Sequence, residues 1–329
     1  MKTVRRTEDR RCDRRSGRQV WHTFFDTIDD SVYTSRFGAL EGLDEDVRTT
    51  GSRAVRHRHS EAELFTYVAE GVLRHEDNSG HQGTISAGEF LRRRTHRGGS
   101  HRDSNGTLDD PMRAFGLRLR AAGGPLAADL EQRRISVAER RGRFRAVGSH
   151  EPSPGAVPLQ QDATIYSAVL DAGQHVVHAL RPGRIAWLHV VRGAVRLDEL
   201  SLLVGDGVGV TGERSVAVTA MSASEVLLVD VDDGDPDVEP ATVSASSAAP
   251  VVHRRGQNGA SPPASSSYGS PGVRSWTVTR AQEWKRERAW RPGADNARVG
   301  ESLGVKAAHV DVLAAATEAC AASTARRDT

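Results

Sequence analysis

The chain has 329 residues, a formal net charge of +2 and two cysteines, long enough for a sizeable core and for about two domains. The near-neutral balance leaves no whole-molecule basic field to gather nucleic acid, and no run of about 18 apolar residues is present to span a membrane. Hydrophobic residues make up 37%, which places part of the chain outside any core. Cys12 and Cys320 stand near opposite ends and neither lies in a C-x-x-C pair. They do not make a disulfide framework, and a reducing cytoplasm fits them best. Lys2, Arg5 and Arg6 are followed by no apolar stretch, so no secretory signal is read.

Residues 1–19 carry Arg5, Arg6, Arg10, Arg11, Arg14, Arg15 and Arg18 and read as a flexible, solvated basic arm. From Val20 the character changes. Val20 to Phe25 and Phe37 to Leu40 are β-prone, and Val47 to Val55 leads into a strand bearing His57 and His59. Glu63 to Val68 is a β-branched and aromatic run closed by Glu70-Gly71. Val72 to His75 follows, with a hairpin turn at Asp77-Asn78-Ser79-Gly80. Thr84-Ile85 precedes a turn at Ala87-Gly88-Glu89. A strand bearing His101 and Asp103 comes next, then one over Arg113 to Leu119. Short strands at this spacing, with Gly-rich turns and almost no helical period, predict an all-β sandwich or barrel.

In an extended strand, residues i and i+2 face the same side. His57 with His59, and His101 with Asp103, would each share a face. Three imidazoles and a carboxylate converging inside a small barrel could hold one divalent metal. The competing reading is a barrel interior that keeps these residue types and binds no ion tightly. His75, His81 and His96 read as turn or surface histidines, and Glu63 as a supporting or surface carboxylate. Arg92-Arg93-Arg94 with Arg97 reads as a solvated charge run beside the site mouth, able to attract an anionic phenolate.

A weaker copy of the pattern returns. Trp187 to Arg196 echoes Thr66 to Arg74, Gly205-Asp206 echoes Gly88-Glu89, and Glu225 to Asp230 closes as a strand. Arg181 stands, relative to Gly193, where His59 stands relative to Gly71. His175 and His178, at i, i+3, fall on opposite strand faces, so the second barrel is expected to bind no metal. Beyond Asp233 the Ser/Ala/Pro-rich composition reads as a low-complexity, largely disordered extension over 234–329. Trp276, Trp284 and Trp290 lie within it.

These motifs resemble the pirin family of bicupin proteins, in its bacterial YhaK-like and quercetin 2,3-dioxygenase-like branch. The similarity rests on Trp21-His22-Thr23-Phe24, on His57 and His59 with Arg58 between them in place of proline, and on Thr66-Tyr67-Val68-Ala69-Glu70-Gly71. It continues through His75 to Gly80, Ala87-Gly88-Glu89-Phe90 and Glu131-Gln132-Arg133-Arg134, and spans about residues 20 to 231. Asp103 stands where the family has glutamate, one methylene shorter, and Arg94 to Gly98 is far more basic than the family's lead-in. The resemblance implies a bicupin of two jelly-roll-like barrels: an N-terminal metal-site barrel over 20–125 and a C-terminal barrel without metal over 126–233. It implies one divalent ion, Fe(II) or another first-row metal, on His57, His59, His101 and Asp103. Asp103 would also take the proton from the 3-hydroxyl of a flavonol such as quercetin during cleavage by oxygen. The alternative it implies is a non-enzymatic regulator or redox sensor acting through a protein partner.

Overall fold

The computed structural model describes residues 1–25, 36–50, 52, 54–58, 61–78, 80–95, 99–122 and 129–233. His59, His96, Arg97 and the expected extension over 234–329 lie outside the described residues. The strands begin with β1 (Lys2–Arg5), β2 (Arg11–Arg15), β3 (Arg18–His22), β4 (Leu40–Arg48), β5 (Val55–Arg58) and β6 (Ala62–Glu70). They continue as β7 (Val72–Asp77), β8 (Gln82–Ser86), β9 (Glu89–Thr95), β10 (Ser100–Asn105), β11 (Met112–Arg120) and β12 (Leu130–Arg134). After a one-turn helix, α1 (Val137–Arg140), come β13 (Arg145–Ser149), β14 (Val157–Pro158), β15 (Ala163–Leu170), β16 (His175–Ala179) and β17 (Arg184–Arg192). The last are β18 (Ala194–Leu197), β19 (Leu200–Leu203), β20 (Gly207–Val210), β21 (Ser215–Ala220) and β22 (Ser224–Asp232).

Each half pairs a seven-stranded sheet with a four-stranded one. The first half has the orders β12-β9-β6-β11-β4-β3-β2 and β5-β10-β7-β8; the second has β1-β20-β17-β22-β15-β13-β14 and β16-β21-β18-β19. Shifting each strand of the first half by eleven positions reproduces the inner order of the second, so the sequence echo is a structural repeat. The turn glycines repeat with it. Gly71 and Gly193 both have positive φ, and a Cβ there would come 2.5 Å from the Pro111 carbonyl and 2.3 Å from the Ala223 carbonyl. Only glycine fits both turns.

Strand alternation sets what each face does. On β6, Phe65 and Tyr67 point toward the second barrel and join Phe90, Phe115, Trp187, Leu227 and Val229 in one apolar core between the two large sheets. The other face of that sheet turns inward. Inside the second barrel, Val176, Val195, Leu202, Val208, Val218 and Leu228 are all buried and fill the space. The first barrel has a much smaller apolar cluster, around Val68, Leu73, Ile85, Leu91 and Met112. It keeps a cavity of about 550 Å³.

The basic arm expected over residues 1–19 is instead built into both barrels. β1 pairs antiparallel with β20, Val4 against Val208, and closes the edge of the second barrel. β2 pairs with β3 at the edge of the first. Arg10 is 1% exposed and donates to Glu45 at 2.8 Å, while Arg113 donates to the other oxygen of the same carboxylate at 2.7 Å. Backbone pairing and a buried ion pair hold this segment, where its composition alone suggests solvent. β12, which a boundary at 125/126 gives to the second barrel, pairs with β9 of the first. Cys12 lies on β2, and Cys320 lies outside the described residues. Among the described residues no helix is long and apolar enough to cross a membrane.

Deleting residues 1–6 should therefore lower Tm by about 5 °C or more, through the lost β1–β20 ladder. An unchanged melting curve would show that β1 contributes nothing to the second barrel.

Candidate metal centre

β10 carries the two expected ligands whose side chains are placed. His101 and Asp103 stand at i, i+2, and His101 Nε2 lies 3.1 Å from Asp103 Oδ2. On one side β10 pairs with β5, which sets His57 directly across from His101 and Val55 across from Asp103. On the other it pairs with β7, setting Asp77 against His101 and His75 against Asp103. The backbone thus sets His57 and His101 at one register position, with Asp103 two residues further along β10. With the His57 side chain and all of His59 outside the described residues, no group of three or more metal-binding side chains meets among those described.

The surroundings correct three expectations. His75, read as a turn or surface histidine, is 2% exposed. Its Nδ1 has no hydrogen-bond partner among the described residues, and its ring packs where Gly83 lacks a side chain. Burial, together with the nearby Arg93 guanidinium, pushes the His75 imidazole down to about 4 against the opposing pull of Asp103 and Asp77. The signal was present: Leu73 and His75 are alternate residues of one strand, so the apolar one should have placed its neighbour inward.

The arginine run is not solvated either. Arg92 and Arg93 are buried, and Arg93 Nη1 lies 4.0 Å from Asp103 Oδ1. Arg48, fully buried and held by Asp46 at 2.8 Å, donates to the backbone carbonyl of Asp103. Arg48 thus holds the β10 backbone, and Arg93 lies beside the Asp103 carboxylate.

Glu63, read as a supporting or surface carboxylate, is 2% exposed and belongs to the joint between barrels. It accepts the backbone N–H of Gln160 at 2.9 Å and of Gln161 at 3.0 Å. A second buried joint forms at α1, where Ser136 and Glu139 make a reciprocal capping box. That turn delivers Arg140 to Glu225, the Tyr67 hydroxyl and, at 2.9 Å, the Ser167 hydroxyl.

His81 is exposed beside Asp77, as a turn histidine should be. In the second barrel, His175 is exposed, whereas His178 is hydrogen-bonded to Asp230 at 2.7 Å and its ring lies tilted against Tyr166.

The first-barrel cavity is lined by His101 and Asp103 and by inward residues of β3, β4, β6 and β11. Among these are His22, Asp44, Thr66 and Gly116, none of them expected in the site, although His22 and Thr66 fall within motifs that carry the family resemblance. A volume of about 550 Å³ lies within the usual range for small-molecule pockets.

Residues 5–117 match the pirin family model, and residues 146–231 match the model described as the quercetinase C-terminal cupin domain. The chain is 28% identical over 212 residues to quercetin 2,3-dioxygenase of Escherichia coli O157:H7, covering 64% of this chain and 90% of that protein. It is 31% identical over 196 residues to a putative quercetin 2,3-dioxygenase of Pseudomonas aeruginosa, covering 59% and 84%. Among solved structures, the bacterial pirin YhhW of Escherichia coli in complex with nickel(II) is 28% identical, with a TM-score of 0.64 over 70% of this chain and 99% of that one.

Proposed function

Since the chain belongs to the pirin family, we propose that it holds one divalent first-row metal on His57, His59, His101 and Asp103 and cleaves a flavonol such as quercetin with oxygen. The observation that carries this reading is the pairing of His101 and Asp103, 3.1 Å apart, on the wall of a small-molecule-sized cavity, with His57 across the register. Imidazole nitrogens and one carboxylate are a donor set such ions accept. The nickel(II) complex of the E. coli pirin supports a divalent ion here; Fe(II) is the ion proposed, with other first-row metals as the alternative. Bound there, the ion would serve as Lewis acid and template for the flavonol oxygen.

The chain's own residues do the rest. Asp103 would accept the 3-hydroxyl proton as a general base. Arg93 Nη1 lies 4.0 Å from its other oxygen. The cavity wall would receive the flat substrate.

Aspartate has one methylene less reach than glutamate, and metal–oxygen bonds of about 2.0–2.2 Å tolerate little gap. Asp103→Glu should raise metal occupancy by elemental analysis and speed the loss of quercetin absorbance in air. The expectation that Asp103 reaches the metal only weakly fails if Asp103→Ala abolishes metal binding while Asp103→Glu leaves it unchanged, because the aspartate would then already ligate fully.

A further inference from the structure

The inward face of the large sheet in the first barrel carries a cross-strand row that the metal site does not use. The register sets His22 of β3 against Asp44 of β4, Asp44 against Gly116 of β11, and Gly116 against Thr66 of β6. All four line the same cavity as His101 and Asp103.

Gly116 needs an explanation, because glycine inside a strand weakens it. Its φ is not positive, and a Cβ built on it would meet no heavy atom within 4 Å. Neither backbone geometry nor close packing requires glycine there. What its missing side chain provides is open space on the cavity floor, between Ala114 and Thr66.

At one side of that space stands a fixed polar pair. His22 Nδ1 lies 2.7 Å from Asp44 Oδ1, and its Nε2 lies 3.4 Å from Asp13 Oδ2. Burial alone would lower the His22 pKa, but the two carboxylates outweigh it and raise the imidazole above its ordinary value. The Asp44 side chain is 45% exposed, so its lone pairs can take further donors. Asp13 is also engaged by Arg11 at 3.1 Å, which makes Asp44 the main acceptor.

We propose that the row His22–Asp44–Gly116 is the subsite for a second, hydroxyl-bearing ring of the flavonol, with the flat ring over Gly116 and its hydroxyls donating to Asp44. This rests on the flavonol reading above. It specifies a substrate whose pendant ring carries neutral hydroxyl donors, since a carboxylated ring would face Asp44 with like charge and an unsubstituted ring would add no donor to the one His22 supplies. Gly116 sets the size limit and Asp44 sets the chemical preference.

The test is equilibrium binding to the full-length protein without oxygen, followed by flavonol fluorescence. The two probes are quercetin, with two adjacent hydroxyls on the pendant ring, and galangin, the same flavonol with that ring unsubstituted. Wild type should prefer quercetin by about tenfold, as expected for a hydrogen bond to a charged acceptor. Asp44→Asn, and Asp44→Ser as a second replacement, should reduce the preference to near parity with galangin affinity unchanged. Gly116→Leu should weaken both flavonols while leaving the melting temperature within a few degrees of wild type. A quercetin preference that survives both Asp44 replacements, or a Gly116→Leu protein that binds both probes as wild type does, would overturn the subsite. Failure of wild type to bind either flavonol would bring down the flavonol reading itself, and the subsite with it.

Discussion

His101→Ala is expected to remove the metal. Purified wild type should carry no more than about one ion per chain, and the variant close to none by elemental analysis. Losing a hydrogen-bond partner behind a metal ligand already costs roughly 10–100-fold in affinity, and losing a ligand should cost more. His101 is the sharpest residue for this test because its partners are fixed on both sides. Asp103 Oδ2 is 3.1 Å away, and β10 is paired with both β5 and β7. The substitution trims one side chain from a paired central strand, so the barrel should survive, and an unchanged far-ultraviolet circular dichroism spectrum would show that it has. Full metal retention in the variant would move the site elsewhere.

Glu45→Ala should be the most destabilising single change among the residues described. Its carboxylate is 5% exposed and is held by Arg10 at 2.8 Å and Arg113 at 2.7 Å, both buried. Removing it leaves two guanidiniums in the interior without their counter-charge, a loss of about 3–5 kcal/mol. For a folded unit of this size that corresponds to a fall in Tm of about 10 °C or more. The same group gives a pH signature. Burial pushes the Glu45 carboxyl up, but Arg113 and Arg10 outweigh burial and hold it at about 2, below its ordinary 4.5. Its contribution is therefore fully present above about pH 4.5 and is lost as pH falls toward 2. Acid melting curves of wild type should decline through that window, and Glu45→Ala should lack that part of the decline. Equal acid sensitivity in both proteins would show that Glu45 is not the titrating group.

Much of the fold was legible because alternation and turn residues are local signals. Glu63 to Val68 alternates between the inter-barrel core and the cavity, and Gly71 marks a turn that only glycine can make. The i, i+2 spacing of His101 and Asp103 was enough to put them together on β10. What was missed depends on partners far along the chain. Arg10 is buried because Glu45 and Arg113 meet it, and β1 is ordered because β20 presents an open edge roughly two hundred residues later. Nothing in the composition of residues 1–19 carries that information. Glu63 reads as a surface carboxylate until the backbone of Gln160 and Gln161 arrives from the other barrel. His75 is a different case. Its alternation with Leu73 was readable, although the strand runs directly into the turn at Asp77 to Gly80.

The most direct test of the account is oxygen consumption by the metal-loaded protein on addition of quercetin, measured with an oxygen electrode beside His101→Ala. Wild type should consume oxygen in an amount equal to the flavonol lost, and His101→Ala should consume none above the rate of quercetin in buffer. Wild type that carries its ion and leaves both oxygen and quercetin untouched would contradict the proposed activity.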